Sequence, residues 1–154
     1  MMNYEIQPAK KEDYHELIQL WERSVTATHH FLTPSDIDHY KPLILNDYFN
    51  QLQLFHIKQN NKILGFVGLE GKLIQMLFID PESRGLGLGK TLVEFAIENY
   101  DVNNVDVNEQ NSQALGFYKH LGFEITERSE TDAAGKPYPV LSMQLKQIRN
   151  LCRS

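Results

Sequence analysis

Leu77-Phe78-Ile79-Asp80-Pro81-Glu82-Ser83-Arg84-Gly85-Leu86-Gly87-Leu88-Gly89-Lys90-Thr91 runs from an apolar stretch through a proline and three alternating glycines into a helical pattern. Residues 73–79 have the apolar content of a strand, and Leu88, Leu92, Phe95 and Ala96 then recur at three- and four-residue steps up to about Asn99, the period of a helix with one face in a core. Strand, glycine loop and helix in that order are the central event of the chain. Glycine has no Cβ, so successive backbone N–H groups can converge on an anion at the positive end of the following helix. A plain strand-to-helix turn would use the same residue types, so spacing has to separate the ligand classes.

Three spacings compete. A Walker loop requires glycine where Arg84 stands, although Gly89-Lys90-Thr91 matches its end. A dinucleotide fingerprint needs Gly-x-Gly-x-x-Gly in a first parallel βαβ unit; here Gly85-x-Gly87-x-Gly89 follows three strand-like runs joined by short polar links. The third pattern, Arg/Gln-x-x-Gly-x-Gly/Ala, is met by Arg84, Gly87 and Gly89.

Upstream of the loop, runs at 52–58, 63–69 and 73–79 are separated by Asn60-Asn61 and Glu70-Gly71-Lys72, connections suited to an antiparallel meander. Before them, Tyr14, Leu17, Ile18, Trp21 and Val25 share one stripe of a predicted helix over 11–25. Thr33-Pro34-Ser35-Asp36 opens a second helix with a hydroxyl cap, a proline and an acid, and Pro42 is expected to break or kink it. The polar and aromatic residues 24–32 between the two suit a cleft lining or a helix-helix turn. Residues 4–7 alternate as a first strand. Downstream, 105–108 is a short strand, Asn111 caps a helix whose Ala114, Leu115, Tyr118 and Leu121 share a face, and 123–130 and 140–146 close the sheet around a loop at 132–139. The order βααβββαβαββ predicts an α/β mixed sheet, splayed at its centre, with helices on both faces.

Composition bounds the function. At 154 residues the chain is the size of one domain, expected over 1–146, with a polar tail at 147–154. A formal charge of -5 disfavours nucleic acid as a partner. The longest apolar run, Met76-Leu77-Phe78-Ile79, is too short to cross a membrane, and the start of the chain lacks a charged-then-apolar signal segment, so a cytoplasmic protein is expected. The lone Cys152, near the end, supports neither a disulfide framework nor a thiolate cage, and no His, Cys and acid cluster at ligand spacing predicts a metal.

Two motifs in this order, the glycine loop and Asn111-Ser112-Gln113-Ala114-Leu115-Gly116-Phe117-Tyr118-Lys119-His120-Leu121-Gly122-Phe123, make the chain resemble the GNAT superfamily of acyl-CoA-dependent N-acetyltransferases, in its small bacterial single-domain form. The resemblance implies transfer of acetyl from acetyl-CoA to a primary amine by direct attack in a ternary complex, the amine belonging to a small molecule, a protein lysine or an N-terminus. It implies that backbone groups of Leu77, Phe78 and Ile79 pair with pantetheine, that Arg84, Gly85, Leu86, Gly87, Leu88, Gly89 and Lys90 surround the pyrophosphate, and that Asn111 contacts the CoA arm. Tyr118 matches the family's general acid. Its phenol, protonated at neutral pH, suits donation to a thiolate, while spacing four from Ala114 also fits simple packing. Asp106 falls where some members carry a catalytic carboxylate, and an ordinary strand carboxylate would look the same. Gln75, where other members place a base, cannot take a proton. His29 and His30 stay open as bases acting through water or as acceptor contacts. Asp132 suits either a cationic acceptor or a turn. A monomer or homodimer, and a CoA-binding module without chemistry, fit the same motifs.

Overall fold

The computed structural model describes residues 3–146; the expectations for the tail at 147–154 and for Cys152 lie outside the described residues. Strand β1 (Glu5–Pro8) is followed by helix α1 (Tyr14–Thr28), α2 (Pro34–Leu43), a one-turn α3 (Phe49–Gln51), β2 (Gln53–Gln59), β3 (Lys62–Glu70), β4 (Leu73–Ile79), α4 (Leu88–Tyr100), β5 (Asn104–Asn108), α5 (Ser112–His120), β6 (Phe123–Ser129) and β7 (Val140–Leu145). These strands form one seven-stranded sheet in the order β1-β2-β3-β4-β5-β7-β6. The expected βααβββαβαββ order is present, with α3 as a continuation of α2.

The meander forms because its turns are chemically suited to it. Asn60 and Asn61 both take positive φ, 52° and 67°, the two-residue conformation whose twist matches an antiparallel hairpin. Both faces of β2 and β3 are buried. Leu54 and Phe66 pack on the α1 side with Leu17, Trp21 and Phe49, and Phe55, Ile57 and Val67 pack on the α4 side with Leu92, Val93 and Ile97. A sheet buried on both faces needs apolar side chains in both directions, which is why these strands read as nearly continuous hydrophobic runs.

Two helix ends are decided by the packed structure. Helix α1 runs on to Thr28, three residues past the last apolar position of its stripe, so Ser24 and Thr28 lie on helix and not in a connecting segment. Pro42, expected to break or kink α2, interrupts it without stopping the chain: α2 closes at Leu43 and a wider π turn at Ile44–Tyr48 leads into α3. A missing N–H interrupts the helical ladder, and a wider turn just beyond it absorbs the interruption without a stop.

The Thr33 hydroxyl accepts from Asp36 N while the Asp36 carboxylate accepts from Thr33 N, a reciprocal cap. Asp36 also accepts from the Tyr138 hydroxyl, and Tyr40, one turn further along α2, donates to Asp132. The two Tyr–Asp bonds clasp α2 to the loop between β6 and β7. The Tyr138 hydrogen bond, joined by the cap and by Lys136, holds the Asp36 carboxyl down at about 2. A depressed carboxyl stabilises the fold above its ordinary unfolded value and loses that contribution as pH falls through the folded one. Asp36→Asn is therefore expected to lower Tm at neutral pH, with the gap to wild type closing as pH falls towards 2. Thermal melts at stepped pH check this, and a gap independent of pH would show that the carboxylate charge does not matter.

Candidate active site

The site begins where the sheet comes apart. β4 and β5 run parallel and pair only at Leu73 with Asn104 and Ile74 with Val105. β4 nevertheless stays bonded to β3 as far as Ile79, and β5 to β7 along its whole length. The β5-facing edge of Gln75 to Ile79 thus has no strand partner among the described residues, and exposed strand edges recruit extended amide-bearing chains. A cleft of about 360 Å³ opens there, walled by Leu77, Phe78 and Ile79 on one side and by Asn111, Ala114, Phe117 and Tyr118 on the other, with the glycine loop at one end.

The three glycines of the loop serve different needs. Gly85 and Gly87 have φ of 81° and 76°, and a Cβ at either would meet open space, so these positions need a left-handed backbone and not room. At Gly89 the need is reversed: an added Cβ would lie 3.3 Å from Phe117 Cζ, so glycine lets α4 approach α5. The first hydrogen bond of α4 is Thr91 N to the Gly87 carbonyl, 3.1 Å. The N–H groups of Leu88, Gly89 and Lys90 precede that bond and have no carbonyl partner within the helix. Together with the positive end of α4 they make a seat for an anion. Arg84 lines the same end and lies 3.5 Å from Gln113 Oε1. Lys90 is largely exposed, 3.8 Å from Glu94.

Asn111 caps α5, its Oδ1 accepting from Ala114 N at 3.1 Å. Two turns on, Tyr118 is 5% exposed, its ring edge-on to Phe117 and Phe123 at 5.0 and 5.7 Å. Burial alone pushes the Tyr118 phenol well above its ordinary value. It is therefore kept protonated at neutral pH in the wall of the cleft.

Opposite α5, the end of α1 delivers His29. Its Nδ1 lies 2.7 Å from Thr28 Oγ1, and its Nε2 lies 3.4 Å from Asn111 Nδ2. Thr28 gives its one hydroxyl proton to the Ser24 carbonyl at 2.8 Å, so it can only accept from His29 Nδ1. Burial, then the charges of Arg84 and His30, lower the imidazole to about 4. His29 is neutral at pH 7, with its proton on Nδ1 and its lone pair on Nε2.

A second cavity of about 210 Å³ lies beyond, lined by Trp21, Tyr40, Tyr48 and Tyr138 and by the carboxylates of Asp106 and Asp132. His29 and Phe78 line both cavities. Asp106 accepts from Ser142 Oγ at 3.0 Å, and its carboxyl is raised by burial, an effect the Ser142 bond opposes.

A protein-family model described as an acetyltransferase (GNAT) domain matches residues 29–146. The chain belongs to the GNAT acetyltransferase family. The peptidyl-lysine N-acetyltransferase YjaB of Salmonella typhimurium is 41% identical over 143 residues, covering 92% of this chain and 98% of that protein, and the YjaB protein of Escherichia coli is 40% identical over 90% and 94%. The solution structure of apo YjaB from Escherichia coli superposes with a TM-score of 0.83 at 39% identity, over 93% of this chain and 97% of that one. This GNAT protein is an N-acetyltransferase with acetyl-CoA as co-substrate.

Within the GNAT fold, the structure gathers Leu77, Phe78, Ile79, Arg84, Gly85, Gly87, Leu88, Gly89, Lys90, Asn111 and Tyr118 around one cleft. Leu86 is exposed and its side chain stands outside that cleft. Asp106 is also outside it, in the second cavity. His30 faces a separate, polar hollow bordered by Phe31 and Gln110. Trp21, Tyr40 and Tyr48 line the second cavity without having stood out in the sequence as site residues. A signal for Tyr40 existed: it stands four residues after Asp36, hence on the same helix face. Among the described residues there is no group of three or more His, Cys, Asp or Glu placed to hold a metal, and no helix is long and apolar enough to cross a membrane.

Proposed function

We propose that this enzyme acetylates the primary amine at the end of an unbranched alkyl chain, of which a protein lysine is the leading case. One observation carries the proposal: His29 and Phe78 line both the cleft and the carboxylate-bearing aromatic cavity, so a reactant held in each would reach the same two side chains. The YjaB relatives are peptidyl-lysine acetyltransferases by name, which agrees with this acceptor.

The residues of the cleft fit acetyl-CoA. The free N–H groups of Leu88, Gly89 and Lys90, with Arg84 beside them, would hold the pyrophosphate, and the open edge of Leu77, Phe78 and Ile79 would bond the pantetheine amides as an added strand. Asn111 would border that arm, and Tyr118 would give its proton to the departing thiolate.

The second cavity fits an alkylammonium. Aromatic faces attract a cation and tolerate its methylene stem, and Asp106 and Asp132 supply opposite charge. Asp106, made more basic by burial, would pair with the entering ammonium and take its first proton. Asp106→Asn is expected to lower kcat/KM for Nα-acetyl-lysine amide about 100-fold, with acetyl-CoA affinity unchanged. Free CoA release against acceptor concentration, together with acetyl-CoA titration, measures both. Unchanged kcat/KM would leave Asp106 as an ordinary strand carboxylate, and no CoA release with any alkylamine would favour a CoA-binding module without chemistry.

A further inference from the structure

Acetylation of an ammonium removes two protons from one nitrogen. The first leaves before attack, because only a neutral amine is a nucleophile. The second leaves after the C–N bond has formed, at the junction of the two cavities and not in the acceptor cavity itself. Asp106 does not border the cleft, Tyr118 does not border the acceptor cavity, and His30 borders neither. His29 alone among the described titratable residues lines both.

Building on the two-cavity reading above, we infer that His29 Nε2 takes this second proton. Its hydrogen bonds leave only that atom able to do so. The Ser24 carbonyl commits the Thr28 proton, Thr28 commits the His29 proton to Nδ1, and Asn111 is oriented by its bond to Ala114 N so that its amide N–H points at Nε2. The Asn111 contact, 3.4 Å, is at the long limit of a hydrogen bond, so a closer nitrogen displaces it readily. Nitrogen that has just bonded to the thioester carbon is a far stronger acid than a free ammonium, so a weakly basic imidazole suffices.

The groups around His29 also reset it. Once protonated, Nε2–H faces the Asn111 N–H, donor against donor. Arg84 from the glycine loop and His30 next in the chain repel the new charge. Asp106, Asp132, Tyr40 and Tyr138 face it only across the acceptor cavity, and Tyr118 across the cleft. The proton therefore passes on to solvent. In the complete step the C–N bond forms and the C–S bond breaks. Tyr118 gives a proton to sulfur and takes one back from solvent, into which the two protons removed from nitrogen pass, so one proton is released net.

The test separates proton acceptance from positioning. His29→Gln can still accept from Asn111 but cannot carry a proton. Its kcat is expected to fall about 100-fold, with KM for acetyl-CoA within about twofold of wild type. His29→Ala should be equally slow and regain rate with added imidazole in proportion to its neutral fraction between about pH 6 and 8. Wild-type kcat in His29→Gln, or imidazole rescue that ignores the neutral fraction, would overturn the inference. If His29→Ala does not fold, His29→Gln alone decides. Two probes are run, Nα-acetyl-lysine amide and 1,5-diaminopentane. Acetylation of the diamine alone would remove the protein-lysine reading, while the ratio of variant to wild type on the diamine still decides the role of His29.

Discussion

Tyr118→Phe is expected to slow acetyl transfer by about 100- to 1,000-fold at saturating acetyl-CoA, with acetyl-CoA affinity and Tm close to wild type. The substitution removes a single oxygen. The ring stays packed between Phe117 and Phe123, so α5 and the Asn111 cap that starts it are undisturbed. What is lost is a phenol kept protonated by burial at the wall of the cleft. Without it the thiolate must leave unprotonated or wait for water. A proton given to sulfur as the C–S bond breaks moves in the transition state and not on binding, so under the proposed role the loss falls on kcat. Single-turnover release of free thiol, beside isothermal titration with acetyl-CoA, reads the two quantities separately. Equal loss of both would make Tyr118 a packing residue, and loss of neither would move the proton donor elsewhere.

Phe66→Ala is expected to lower folding stability by about 3–5 kcal/mol and to weaken the site at the same time. Phe66 is fully buried at the centre of β3, edge-on to Phe49 at 5.9 Å and tilted against Phe78 at 5.7 Å. A phenyl ring removed there leaves a hole bounded by the sheet and α3, neither of which can collapse into it. Phe78 is its partner in the β3–β4 register and is also the wall shared by the two cavities. Loss of its neighbour should therefore raise KM for both substrates. Urea unfolding with steady-state kinetics at low temperature checks this; a loss under about 1 kcal/mol would mean that the core repacks around the gap.

Much of this was readable in the chain because it depends on neighbours in sequence. The bounds of β4, the start of α4 at Leu88 and the cap at Asn111 follow from apolar period, glycine placement and one carboxamide. The Thr33–Asp36 cap follows equally from residues three apart. Where expectation and structure differ, a local rule met a non-local partner. Pro42 predicts a break or a kink, and the chain continues as helix because Ile44, which opens the π turn, and Phe49, which follows it, are held in the core with Trp21 and Phe66. Beyond Val25 the chain carries no further position of the helical stripe, yet α1, packed on the sheet through Ser24 and Val25, continues to Thr28.

Sequence alone determined the family-defining loop, its direction into a helix, and Tyr118 at one side of a helix that begins at Asn111, because backbone conformation and helical phase are properties of adjacent residues. Only the tertiary structure decided that Asp106 belongs to a different cavity from Tyr118, that His29 lies between the two, and that Asp36, Tyr40, Asp132 and Tyr138 form one clasp. These groups come from segments up to 102 residues apart in the chain. What joins them is the divergence of β4 from β5 after two paired residues, and the point at which strands part is set by how the helices on both faces pack against the whole sheet.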